Sequence, residues 1–322
     1  HRNNTQRTLG FNNRRFARGG YEKKNGKIMT TALDIQKKYR RKIDYLDLEL
    51  IIAHAIGKSR EFVLSHPEYK IAESQKSKVE SYLSRRIKCE PLAYILGEKE
   101  FYGLKFRVDR NTLVPRPETE QIVELVLKSL KNKKVGNVNV VDVGTGSGNI
   151  IIALAHSIKP KAWSEFKFFG IDISKKALQT AKQNAKLKKL EKKIKFMHGN
   201  MLSPIIKKYS MKHVPCSIII TANLPYLSPK IYASCSKDIK KYEPKSALIS
   251  QKKGLAHYER LLKQIKNQKI AMHVFMEISP EQKSNIFRLI KKYFPPPAGE
   301  SKIIFHKDLS GKWRVCELKT SN

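Results

Sequence analysis

The run Val140-Val-Asp-Val-Gly-Thr-Gly-Ser-Gly148 joins a β-branched apolar segment to three glycines at alternate positions, and Asn149-Ile-Ile-Ile-Ala-Leu-Ala155 follows at once. A strand, a glycine loop and a helix in that order form the place where an open α/β sheet binds ligands at its carboxyl edge. Glycines there let backbone N–H groups come close to a ligand. The spacing is GxGxG, because position 149 is Asn. A dinucleotide loop of the GxGxxG type sets a pyrophosphate on the helix N-terminus, so this spacing favours an adenosine without phosphate. Gly144, Thr145, Gly146, Ser147 and Gly148 are the candidate contacts.

Asp172 ends the next strand-like segment in Gly170-Ile-Asp-Ile173. A carboxylate at that place can accept both ribose hydroxyls of a bound nucleoside; the plain alternative is an aspartate capping the following helix. Asn200 and Met201, after the third strand, are placed to meet an adenine by a side-chain hydrogen bond and an apolar contact, although Gly-Asn at a strand end is also a common turn.

Outward from the loop, strands and helices take turns. Val138–Val143, Phe166–Ile171, Ile194–His198, Ser217–Thr221 and Ile270–Ile278 read as strands, with helices near 119–132, 149–158, 174–190, 254–267 and 281–293. This alternation predicts a parallel sheet covered on both faces, in a Rossmann-like arrangement of the α/β class. Lys302–His306 and Lys312–Leu318 flank a turn and predict a terminal hairpin. Upstream, Leu46, Leu48, Leu50, Ile51, His54 and Ala55, then Val79, Tyr82, Leu83 and Ile87, recur near a 3.6 period and predict a small helical bundle. The organisation expected is a disordered basic tail (1–28, preceding Met29), a helical domain (29–95), a hairpin linker around Tyr102-Gly103 (96–112) and an α/β domain (113–322).

With 322 residues, 40% of them hydrophobic, the chain can bury a sizeable core. Its apolar runs are far shorter than the roughly 20 residues a membrane helix requires, and the N-terminus lacks the apolar stretch of a secretory signal. The four cysteines show neither CxxC nor Cys/His ligand spacing, so no disulfide framework or metal is expected and a reducing cytoplasm fits. The charge is the loudest feature: 65 Lys and Arg face 28 Asp and Glu, for a net +37. Two readings stand, a general lysine bias on solvated faces and a weak attraction to nucleic acid or ribosome.

Ser217-Ile-Ile-Ile-Thr-Ala-Asn-Leu-Pro-Tyr-Leu-Ser228 runs a buried strand straight into Asn223, Leu224, Pro225 and Tyr226. Taken with the glycine loop and the acidic residue after the second strand, the pattern resembles the class I methyltransferases that use S-adenosyl-L-methionine (SAM) and release S-adenosyl-L-homocysteine. Asn-Leu-Pro-Tyr is similar to the Asn-Pro-Pro-Tyr of enzymes that methylate planar nitrogens. Such a nitrogen is a poor nucleophile, because its lone pair is delocalised. The Asn223 side-chain oxygen and the Leu224 carbonyl, as two acceptors on one NH₂ group, would orient it and raise its electron density. Tyr226 would stack on the amide plane. The departure is Leu224, which keeps the carbonyl but lacks the φ restriction of proline.

Further blocks resemble the HemK/PrmC family, which modifies the Gly-Gly-Gln glutamine of class-1 peptide chain release factors: Asp47–Ser59, Glu90-Pro-Leu-Ala-Tyr-Ile-Leu-Gly97, Phe101-Tyr-Gly103, Val114-Pro-Arg-Pro-Glu-Thr-Glu120, Glu243-Pro244 and Met276-Glu-Ile278. The resemblance implies that the helical domain grips the release factor and that the loop 114–120 closes over the pocket. The residues alone say only that Pro115 and Pro117 hold Arg116 on a stiff extended loop, a pocket wall or a domain junction. The family also implies cofactor contacts at Gly144–Gly148, Asp172 and Asn223, and an aromatic ring where Met201 stands. Alternative substrates are a ribosomal protein glutamine and the exocyclic amines of adenine or cytosine. A non-catalytic SAM- or RNA-binding module is a third reading.

Overall fold

A computed structural model describes residues 30–131, 137–209, 217–268, 270–295 and 301–320, together with the backbone pairing of Lys23–Lys24 (β1) and Lys27–Ile28 (β2). The rest of the expected tail and position 216 lie outside the described residues. The chain divides at Ser84/Arg85 into two units.

In the first unit three helix starts have a clear chemical reason. Thr31 caps Ala32–Tyr39 in a reciprocal capping box with Asp34. Asp44 accepts from the N–H groups of Leu46 and Asp47 and opens Tyr45–Ile56, which ends at Gly57 in the left-handed conformation. Ser59 caps Arg60–Ser65. Leu48, Ile51 and Ile52 are fully buried at the 3.6 spacing. Glu49 is buried beside them, with Arg60 at 2.6 Å from its carboxylate.

The sequence boundary of the helical domain lies at 95, eleven residues beyond the break between units. Chemistry explains the difference. Glu90 is buried and held by Arg85 and Arg110, at 2.9 and 3.0 Å, and the Tyr94 hydroxyl donates to the Thr112 carbonyl. These ties draw the Glu90 block into the second unit. The hairpin follows as β3 (Glu98–Phe101) and β4 (Leu104–Arg107), turning at Tyr102 and Gly103, both with positive φ. Phe101 and Phe106 meet edge to face under it.

The seven-stranded sheet contains β5 (Val138–Val143), β6 (Phe166–Asp172), β7 (Ile194–His198), β8 (Ser217–Ala222), β9 (Met272–Glu277), β10 (Lys302–Lys307) and β11 (Trp313–Lys319), in the order β10-β11-β9-β8-β5-β6-β7. Strands β5 to β9 are parallel, and β10 and β11 close one edge antiparallel. The continuous apolar runs are explained by two-sided burial. Val141, Val143, Ile218 and Ile220 enter one core, whereas Val138, Val140 and Ile219 enter the other. The chain reverses its strand order between β5 and β8, which opens a crevice at their carboxyl ends.

Candidate active site

Strand register sets the site. Val143 pairs with Ile171 and Ala222, and Ala222 pairs with Met276. The next residues, Gly144, Asp172, Asn223 and Glu277, therefore stand level at one edge of the sheet. A cavity of ≈ 350 Å³ opens there, lined by Gly144–Ser147, Asp172, Asn200, Met201, Asn223, Leu224, Pro225 and Arg116 among others. Its size suits a small-molecule ligand. Gly148 and Tyr226 are not among the lining residues.

The glycine loop is shaped by what approaches it. Gly144, Gly146 and Gly148 all have positive φ. The Gly144 and Thr145 N–H groups donate to the Ile171 carbonyl, at 2.8 and 2.9 Å. The Asp172 carboxylate accepts from the Gly146 N–H at 2.9 Å and from the Ser174 N–H at 2.8 Å. Burial pushes the Asp172 carboxyl up, against these backbone hydrogen bonds. Gly148 instead starts the helix Asn149–Ser157, where a Cβ would meet Ile152 at 2.9 Å and Ala181 at 3.2 Å.

Two buried polar groups brace the loop from behind. Asp142 accepts from Thr145 (2.6 Å) and Thr221 (2.8 Å) hydroxyls. Burial pushes its pKa up to about 6. Asn184, on the helix Lys175–Leu187, donates to the Ser147 and Arg107 carbonyls and accepts from the Arg107 N–H, at 2.9, 3.0 and 2.7 Å. One side chain thereby clamps the loop to β4.

The Asn223 carboxamide donates to the Thr119 hydroxyl at 3.1 Å, and Thr119 donates to the Glu277 carboxylate at 2.6 Å. The Tyr226 hydroxyl donates to the other Glu277 oxygen at 3.2 Å, and its ring packs against the core. The ring is thus tied back rather than presented to the cavity. Leu224 is buried, in the same core cluster. The Tyr226 carbonyl accepts from Gln282 at 3.0 Å, and Gly254 lies so close to that carbonyl that no Cβ would fit. Leu227 continues the brace through a parallel bridge to Ile249.

Arg116 lies in the wall and reaches Glu243 at 2.5 Å. Glu243 is buried, and its second oxygen has no hydrogen-bond partner among the described residues. The helix Ala256–Lys266 adds His257 and Arg260 to the lining, and Arg260 reaches Asn200 at 3.5 Å. Burial, then the nearby Arg260, holds the His257 pKa down. Met201 is buried with a positive φ. Among the described residues no group of three or more His, Cys, Asp or Glu could hold a metal ion, and no helix is long and apolar enough to cross a membrane.

Sequence reasoning passed over Asp142, Asn184, Thr119, Glu277, His257 and Arg260. A signal existed for two of them: Thr119 and Glu277 lie in the family-like segments Val114–Glu120 and Met276–Ile278. Nothing local marked Asn184, an ordinary polar residue on an amphipathic helix.

Comparison with known proteins gives a consistent picture. Residues 134–289 match the family model of a methyltransferase domain, and residues 37–97 match the PrmC N-terminal domain. The release factor glutamine methyltransferase of Clostridium botulinum is 31% identical over 275 residues, 85% of this chain and 91% of that protein. The enzyme of the same name from Bacillus subtilis is 33% identical over 278 residues, 85% of this chain and 91% of its own. Among solved structures, the hMettl16 catalytic domain in complex with MAT2A 3'UTR hairpin 6 superposes with a TM-score of 0.50 at 14% identity, over 74% of this chain and 81% of that one, which is a likeness of fold.

Proposed function

Because this chain belongs to the release factor glutamine methyltransferase family, we propose that it transfers a methyl group from SAM to the side-chain amide nitrogen of the Gly-Gly-Gln glutamine in a class-1 peptide chain release factor, in the cytoplasm. The observation that carries the assignment of the site is the level placement of Asn223 beside Gly144 and Asp172 at the switch point of the sheet.

The residues present fit SAM. Asp172 is held by two backbone N–H groups and keeps lone pairs for the ribose hydroxyls. Gly144, where a Cβ would crowd Leu224, lets the loop pack directly against the Asn-Leu-Pro-Tyr turn beside the cavity. Met201 and Asn200 would meet the adenine, with a flexible thioether in place of a ring. Bound there, SAM supplies an electrophilic methyl carbon. The residues of this chain do the rest. Asn223, through its side-chain oxygen, and Leu224, through its carbonyl, accept the two hydrogens of the glutamine NH₂. This fixes the amide plane and concentrates electron density on nitrogen. Pro225 stiffens the turn and Tyr226, tied to Glu277, anchors it. Arg116, placed by Glu243, forms the wall by which the substrate glutamine enters. A protonated amide is strongly acidic, so the nitrogen can lose its proton to water without a dedicated side-chain base.

The test is to incubate the protein and SAM with a release factor and with its Gly-Gly-Gln glutamine replaced by alanine, and to map the methyl group by mass spectrometry. Methylation of the intact factor alone supports the reading. Transfer to RNA, to DNA or to a ribosomal protein instead would overturn it. Asn223→Ala is expected to lower turnover by roughly 100-fold or more with SAM affinity nearly unchanged; near-normal turnover would remove Asn223 from the chemistry.

A further inference from the structure

We propose that Thr119 and Glu277 are positioning residues whose hydrogen-bond chain sets which end of the Asn223 carboxamide faces the cavity. The proposal rests on the reading of Asn223 as the acceptor of the substrate amide, and it concerns how that acceptor is kept an acceptor.

An asparagine side chain is nearly symmetric in shape but opposite in hydrogen-bond character at its two ends. Only the oxygen can receive a substrate N–H. Turned by half a revolution, Asn223 would present NH₂ to NH₂, donor against donor. Something must therefore make the two orientations unequal, and the cause lies two residues away. Glu277 is 2% exposed and receives two hydroxyls, Thr119 at 2.6 Å on one oxygen and Tyr226 at 3.2 Å on the other. An ionised carboxylate has no proton to give, so both hydroxyls must donate to it. A neutral acid has one proton of its own and can turn one of the two hydrogen bonds around. Thr119 has a single proton, committed to Glu277. Toward Asn223 its oxygen can offer only a lone pair. The atom of Asn223 at 3.1 Å from it is accordingly the NH₂ nitrogen, and the carboxamide oxygen is left for the cavity. No protein donor reaches that oxygen among the described residues. The direction of the chain is decided at its buried end and read out at its open end.

Burial raises the Glu277 pKa, and the Thr119 hydrogen bond, the charge of Arg314 and the Tyr226 hydrogen bond work against that rise. Thr119 ends the 3-10 turn Pro117–Thr119 that precedes the helix Glu120–Lys131, and Glu277 ends β9, 158 positions apart. Neither need touch the substrate for the chain to act.

The experiment compares Thr119→Val, Thr119→Ser and Glu277→Gln. Valine keeps the shape and removes the acceptor, and serine restores it. Glutamine can donate to Thr119, which frees the threonine proton for the Asn223 oxygen and turns the amide around. The first readout needs no substrate: the hydrogen-exchange protection of the Asn223 side-chain NH₂, followed by nitrogen-15 spectroscopy of the intact protein. Protection is expected to fall at least about tenfold in Thr119→Val and Glu277→Gln and to persist in Thr119→Ser. The second readout is turnover on the release factor, expected to fall roughly 100-fold in the same two variants, with KM within about threefold and Thr119→Ser near normal. Calorimetry with S-adenosylhomocysteine checks that the cofactor site is intact. Unchanged protection in both variants overturns the proposal. So does lost protection with turnover within about twofold of wild type. If Glu277→Gln fails to fold, the threonine pair decides by the same readouts. If the wild-type protein methylates no release factor, the functional reading fails, and the protection data still decide the chain of hydrogen bonds.

Discussion

A Cβ built on Gly144 would lie 3.2 Å from the Leu224 side chain and 3.8 Å from the Asn223 carbonyl. The glycine loop and the Asn-Leu-Pro-Tyr turn are therefore packed against each other, and the leucine that replaces the family's first proline fills the space between them. Gly144→Ala has two costs, the tighter contact and a left-handed φ of 74°, together about 1–3 kcal/mol. The expected outcome is a lowered denaturation midpoint and SAM affinity weakened by about tenfold or more, since Gly144 lines the cavity and a shift of its backbone alters the cofactor's contacts. Unchanged calorimetric affinity would show that the loop tolerates a methyl group.

Leu224 offers a way to separate side chain from main chain. Its side chain is buried in the core cluster, whereas the role assigned to it in the reaction belongs to its carbonyl. Leu224→Ala is expected to cost about 2–4 kcal/mol of stability. At a temperature where the variant remains folded, turnover is expected to stay within about tenfold of wild type. A loss as deep as that of Asn223→Ala would mean that the leucine side chain itself shapes the acceptor.

Asp172→Asn removes one acceptor and sets an NH₂ group against a backbone N–H, of Gly146 or of Ser174. Calorimetry is expected to show SAM bound roughly 10–100-fold more weakly. Turnover at saturating cofactor is expected to change by a few fold only, because this carboxylate is assigned to the ribose and not to the reacting nitrogen.

Asp142 gives a pH signature. Its pKa of about 6 in the folded protein exceeds the roughly 3.9 of an unfolded aspartate. The folded state thus keeps a proton that the unfolded state releases. The resulting stability is fully present below about pH 4 and is lost as pH rises through about 6. Asp142→Asn cannot titrate. The stability of wild type minus that of the variant should therefore fall by about 2–3 kcal/mol between pH 4 and 7, as read from urea midpoints at each pH. The charge of Asp172 also raises Asp142, so the fall should be smaller in an Asp172→Asn background. A difference that rises with pH would contradict the assigned direction.

Much of the fold is legible in the residues alone. Strands β5, β7 and the helix starting at Asn149 fall where periodicity and glycine placed them, and the other strands and helices of the sheet differ at their ends by up to three residues, the most at the end of Lys175–Leu187. Short helices escaped: Pro229–Ser234 and Lys237–Tyr242 are six residues each, too brief for a 3.6 period to show, although Ser228 caps the first. In the site, the glycines, Asp172 and Asn223 could be found because each sits at the end of a strand whose apolar run announces it.

What the residues alone determined was thus the local part: which segments become strands and helices, and which polar residues end them, since backbone conformation and two-sided burial depend on neighbours a few positions away. What only the folded chain decided was partnership. Thr119 and Glu277 stand 158 positions apart, Asn223 and Thr119 104, and Asn184 and Arg107 77. A hydrogen bond requires atoms within about 3 Å, and over such separations that closeness is set by strand register and by the packing of whole elements, not by any periodic pattern in the chain.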